Sequence, residues 1–147
     1  MDKNYKGINI TGSGKFIEKT IDALEFIRRK SNEDYKKIIK YLKGIKQARR
    51  SGMILRKAIF NVNISSAYYS IEWYAGIIVH DVHHYYLHFI KGFKWKPKNF
   101  KKHEHLCFDE QIRFLKKAKA PDWMINHVKK SYEAGHWQYS KRHKLKY

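Results

Sequence analysis

Scarcity narrows the reading of this sequence first. It has one cysteine, Cys107, so no intrachain disulfide is possible and nothing argues for an oxidising compartment. Acidic residues are few: 13 Asp and Glu stand against 32 Lys and Arg, for a formal charge of +19. No apolar run is long enough to span a bilayer. The opening MDKNYKGINITGSGKF lacks the apolar segment of a signal peptide. A cytoplasmic protein is expected, although a toxin or effector exported by another route would read the same. A nucleotide phosphate loop is missing too: Gly-Ser-Gly-Lys at 12–15 has no glycine five positions before Gly14, and Phe16 stands where that motif needs Ser or Thr.

What is present belongs to a folded chain. Hydrophobic residues make up 43% and aromatics 16% of 147 residues, which excludes global disorder and suits one domain with a real core. The positive charge admits two readings. One is a surface for nucleic acid or another polyanion; the other is compositional drift, since lysines stand in every segment.

Periodicity gives a coarse map. Residues 1–14 are polar, carry Gly7, Gly12 and Gly14, and read as an irregular arm. Ile17, Ile21, Leu24 and Ile27 recur at helical spacing and predict a helix over 15–29. Ser31 or Asn32 caps a second helix with Tyr35, Ile38, Ile39, Leu42 and Ile45 on its apolar face. Phe60, Val62 and Ile64 alternate with asparagines and predict a strand over 59–64, paired with a second at 67–71. A buried helix follows from Glu72 or Trp73 to Gly92, a suitable C-terminal cap. Phe93 to Phe100, with Pro97, reads as a loop; a helix spans 101–117, and Pro121 opens the last one. The end, 138–147, is a basic tail. The expected fold is α+β, mostly helical, with a short sheet against the central helix.

That central helix, WYAGIIVHDVHHYYLHFIKG, carries the chemistry. His80 and His84 lie four apart, so they share a helix face and can bite one metal ion. The spacing is the metal-binding half of H-E-x-x-H, with Asp81 in the position of the glutamate. Four histidines, at 80, 83, 84 and 88, on a helix apolar on most sides exceed what packing calls for. His83 points about a quarter turn from the pair, toward solvent or a supporting contact, and His88 is a rival partner for His84. A catalytic zinc usually takes three protein ligands. Glu104, after 19 intervening residues, is the candidate third, on a helix that also carries Cys107 and Gln111 on nearly the same face. Its neighbours His103 and His105 read as surface residues, and Cys107 as a small core residue.

H-x-x-x-H on one helix and a glutamate on the next resembles the gluzincins, the thermolysin-like zinc metallopeptidases. Trp73, Ala75, His80, Asp81, His84, Glu104, Cys107, Gln111, Gly135, His136 and Trp137 also echo small metallopeptidase-like proteins reading W-x-A-x-x-x-x-H-D-x-x-H, E-x-x-C-x-x-x-Q and G-H-W. The resemblance implies a small zincin-like domain over 1–147, Zn2+ held by His80, His84 and Glu104, and Asp81 as general base. His136 or Tyr139 would assist an oxyanion, and strand 59–64 would pair with a peptide or protein substrate. Asp81 departs from the family by one methylene.

Three other readings compete. The charge supports a nucleic-acid-binding protein or metal-dependent nuclease, against few aspartates and no nucleic-acid motif. His80-Asp81 as the dyad of an HD-type phosphohydrolase lacks the upstream histidine that family needs, because none precedes His80. A zinc-binding domain without catalysis would show a closed, four-ligand site.

Overall fold

The computed structural model describes residues 1–134. It is an α+β fold: a five-stranded mixed sheet with helices packed on one face. Strands β1 (Asp2–Tyr5) and β2 (Ile8–Thr11) form a hairpin where an irregular arm was expected. Its turn places Lys6 (φ 49°) and Gly7 (φ 94°) in the left-handed region, which suits the twist of a two-residue hairpin. Ile8 and Ile10 are fully buried while Asn9 between them is exposed, so a period-two pattern hid in a stretch that glycine made look like loop.

Helix α1 (Gly14–Lys30) starts at Ser13, whose hydroxyl accepts from the Phe16 N–H, and α2 (Asn32–Tyr41) starts at Ser31, as its sequence predicts. Helix α2 stops before Ile45, which belongs to β3 (Gly44–Gln47). Strands β4 (Gly52–Ile54) and β5 (Ile59–Val62) complete the sheet in the order β1-β2-β3-β5-β4. Ile10, Ile45, Phe60 and Met53 stand opposite one another on four neighbouring strands, each at most 1% exposed. This row is the floor on which the helices rest. Asn9 and Lys46, on the other face, are exposed.

The second expected strand, 67–71, is helical. Helix α3 (Ile64–Tyr69) is capped by Asn63, which accepts from the Ser65 N–H, and α4 (Ile71–Tyr85) by Ser70, which accepts from the Trp73 N–H. Two side-chain caps overrule the β-leaning Tyr68-Tyr69 and Ile71. Helix α4 continues as a wider π-helical turn, Tyr86–Ile90, and ends at Gly92 (φ 70°), the expected cap. The Tyr74 hydroxyl, 2.7 Å from Thr20 Oγ1, ties α4 to α1. Helices α5 (Phe100–Lys117) and α6 (Asp122–Glu133) follow, and α5 lies along α4. One continuous core runs from Ile8 to Val128.

Candidate metal centre

Helix α4 presents His80 and His84 on one face, their ring centroids 5.2 Å apart. Helix α5 answers with Glu104, Cys107 and Gln111, spaced three and four apart and therefore on a single stripe. Glycine at position 76 permits the close approach: a Cβ there would sit 3.3 Å from Leu115 Cδ2 and 3.5 Å from Gln111 Cγ. Glu104 is 1% exposed. Its Oε1 lies 3.2 Å from His80 Nε2 and also contacts His84 Nε2, so one carboxylate oxygen bridges the two imidazoles. Cys107 is fully buried beside them, and ligating atoms of His80, His84 and Cys107 all fall within 4.8 Å of one another. His80, His84 and Cys107 thus form a buried group able to hold a metal ion.

The remaining ring nitrogens are committed elsewhere, and this fixes the tautomers. His103 Nε2 lies 2.9 Å from the Phe93 carbonyl, which can only accept, so His103 carries its proton on Nε2. Burial, and after it the neighbouring His84, lower the His103 pKa to about 3, so the ring is neutral and its Nδ1 is an acceptor. His84 Nδ1, at 2.7 Å, must therefore donate to it. His80 Nδ1 makes the matching bond to Gln111 Oε1 at 2.9 Å. Were both imidazoles neutral, each Nε2 lone pair would face the Glu104 oxygen, and only a cation can make that encounter favourable. A proton on an imidazole would serve, and so would a metal ion coordinated by both rings and the carboxylate. Imidazole, carboxylate and thiol together are a donor set for a borderline-soft ion.

Burial disfavours charge on Glu104, but positive charge on His84 and His80 reverses that effect and holds its carboxyl well below the usual range. Burial raises the Cys107 thiol, and the Glu104 and Asp81 carboxylates add to the rise. Without a cation in the site the sulfur stays protonated.

A cleft of about 290 Å3 opens onto this cluster. His80, Asp81, His84, Glu104, Phe108 and Gln111 line its inner wall. Trp73, Ile77 and His127 line it too, as do Ser51 and Gly52 at the start of β4. The proposed base thus shares the cleft with the proposed ligands. His136, Tyr139, Gly135 and Trp137 lie outside the described residues.

Several sequence-based assignments change. His103 is fully buried and stacks on His84, with centroids 5.0 Å apart and planes 8° apart, so it supports the site instead of facing solvent. Its sequence signal was position: one residue before Glu104, it completes the stripe of Cys107 and Gln111. His105 does face outward, pairing with Asp109 at 3.3 Å. His83 is buried with its Nδ1 2.6 Å from Lys37 Nζ, and the pressure of burial and of that lysine lowers its pKa to about 3. His88 accepts from the Trp95 N–H at 2.8 Å and holds the loop after α4 instead of rivalling His80. His127, which sequence reasoning passed over, lies tilted against Trp73 on the cleft wall, with ring centroids 5.4 Å apart. Strand β5 is paired on both sides, by β3 and β4, so it has no edge for a peptide; the edge strand beside the cleft is β4.

No protein-family model, curated protein or solved structure matches this chain. Among the described residues no helix is long and apolar enough to cross a membrane.

Proposed function

We propose that the protein is a zinc-dependent hydrolase that cleaves a peptide or related amide bond, with His80, His84 and Glu104 as metal ligands and Asp81 as general base. The observation that carries the reading is the Glu104 oxygen set between two Nε2 atoms whose partner Nδ1 atoms are both engaged. Such outer contacts orient metal-ligating histidines and raise their basicity. Zinc bound there would supply a Lewis acid and a bound water with a pKa near ~7.

The other tasks fall to the chain's own side chains. Asp81, on the cleft wall one residue from His80, accepts the proton of the attacking water. A positioned base of this kind is worth about 10² to 10⁴ in rate. His127, which lines the same cleft, would donate to the oxygen that gains charge as the carbonyl is attacked. An extended substrate would run beside Gly52 of the edge strand β4, where backbone hydrogen bonds can hold a peptide in register. Zinc-loaded protein should cleave members of a quenched-fluorescent peptide library. Asp81→Asn should retain zinc and lose most of that rate; equal rates in the two proteins would remove Asp81 from the chemistry.

Cys107 supports a second reading. A thiolate bound beside His80, His84 and Glu104 would close the site with four protein ligands, the pattern of a structural zinc. Cobalt substitution separates the two, because a cobalt–thiolate bond gives an intense near-ultraviolet charge-transfer band that Cys107→Ser abolishes.

A further inference from the structure

The chain's positive charge is not evenly placed, and one part of it lies over aromatic rings. Residues 35–71 contain no Asp or Glu, and neither do residues 82–103, while the two stretches hold nine and six Lys or Arg respectively. The fold brings parts of both together where the C-terminal end of α2 meets the π-helical end of α4. Tyr41 of α2 lies 5.8 Å from Tyr85 and 6.1 Å from Tyr86, and Tyr85 lies 4.9 Å from Phe89, centroid to centroid. All four rings are half-buried.

Lysines stand over them. Lys40 is 5.4 Å from the Tyr41 centroid, Lys91 is 5.7 Å from Tyr86, and Lys94 is 5.8 Å from Phe89. All three lysines are exposed. Lys37 also reaches Tyr86, at 4.4 Å. The acids that act on Lys37, Glu110 and Asp34, both pair with Arg113, at 2.5 and 2.6 Å. His83 packs against the Tyr86 ring, with centroids 5.6 Å and planes 28° apart.

We propose that this Tyr41–Tyr85–Tyr86–Phe89 face, ringed by Lys40, Lys91 and Lys94, binds single-stranded nucleic acid. Flat rings beside cations are the pairing such a strand requires, because bases stack on the rings while phosphates take the lysines. Duplex bases keep their faces covered by their neighbours, so a duplex can use only the lysines. An anionic membrane fits less well, because Ile90, 49% exposed, is the one exposed large aliphatic side chain beside the rings among the described residues. The inference is independent of the metal centre, which uses the other face of α4.

The test is fluorescence anisotropy of the full chain with a labelled twelve-nucleotide oligothymidine, a duplex of equal length, heparin, and phosphatidylserine vesicles, each over a salt series. The single strand should bind tightest at moderate salt. Combining Lys40→Ala, Lys91→Ala and Lys94→Ala should flatten the salt slope for that strand by about 2, at ~0.7 per phosphate contact. Tyr41→Leu with Phe89→Leu, checked for an unchanged circular dichroism spectrum, should weaken the single strand about tenfold or more and leave heparin within twofold. A control carrying Lys3→Ala, Lys19→Ala and Lys116→Ala should behave almost as wild type. Equal losses in the control and the Lys40 set, or heparin or vesicles bound as tightly as the strand, would overturn the proposal and leave only diffuse polyanion attraction. Should the Leu pair unfold, the lysine set against its control decides alone.

Discussion

His103 Nδ1 stands 2.7 Å from His84 Nδ1, with the two rings nearly parallel at 8°. The Phe93 carbonyl on the far side of His103 sets the direction of this chain of hydrogen bonds, and it turns His84 Nε2 toward Glu104.

Removing the acceptor should therefore weaken metal binding without unfolding the protein. His103→Phe keeps a flat ring against Phe93 and His84 but leaves the His84 Nδ1 proton with no acceptor. Zinc affinity, read by competition with a chromophoric chelator, should fall about 10- to 100-fold. Unchanged affinity would show that His103 only fills space.

The close approach of α4 and α5 makes a second prediction, at Gly76. A single methyl would touch Leu115 Cδ2 at 3.3 Å, and alanine gains about 1 kcal/mol over glycine in a helix, so Gly76→Ala should be close to neutral. Gly76→Val has no room and should cost about 1–3 kcal/mol in denaturant unfolding. It should also lower zinc affinity, since His80 and His84 sit on one helix and Glu104 on the other.

Acid should loosen the end of α4 through His88. Burial, then Lys94, depress its pKa below the ordinary 6.5, so the folded protein holds the neutral ring that accepts from the Trp95 N–H. An unfolded chain binds a proton there at higher pH than the folded one, so stability falls as pH drops below about 6.5 toward the folded value. The loss is complete once the folded ring is protonated as well. His88→Gln retains an acceptor that does not titrate, and its urea midpoint, measured with metal chelated, should fall less than that of wild type between pH 7 and 5. Identical falls would exclude His88 as a source of acid sensitivity.

How much of this was legible in the sequence differs by level. The helices and the stripe that joins Glu104, Cys107 and Gln111 follow from spacing, because α4 and α5 are long and their apolar residues hold one period. The hairpin at 2–11 was hidden by Gly7, which marks its turn, and by Gly12 and Gly14 just after it, and α3 by tyrosines and isoleucines whose strand preference yields to the Asn63 and Ser70 caps. Pairing of His80 and His84 with Glu104 could be proposed from distance along the chain. The role of His103 could not, because it depends on the Phe93 carbonyl, and the sequence does not say where the loop after Gly92 returns. His127 reaches the cleft from α6 for the same kind of reason: its neighbour Trp73 is far away in sequence.

The most direct test of the account is the metal content of purified protein by elemental mass spectrometry, for wild type, His84→Ala and Glu104→Ala side by side. Wild type should carry about one zinc per chain after incubation with the ion, and both variants should lose it while keeping their helical spectrum. A folded wild type that binds no metal would contradict the account, and the contact between His84 and Glu104 would then be a buried ion pair held together by a proton.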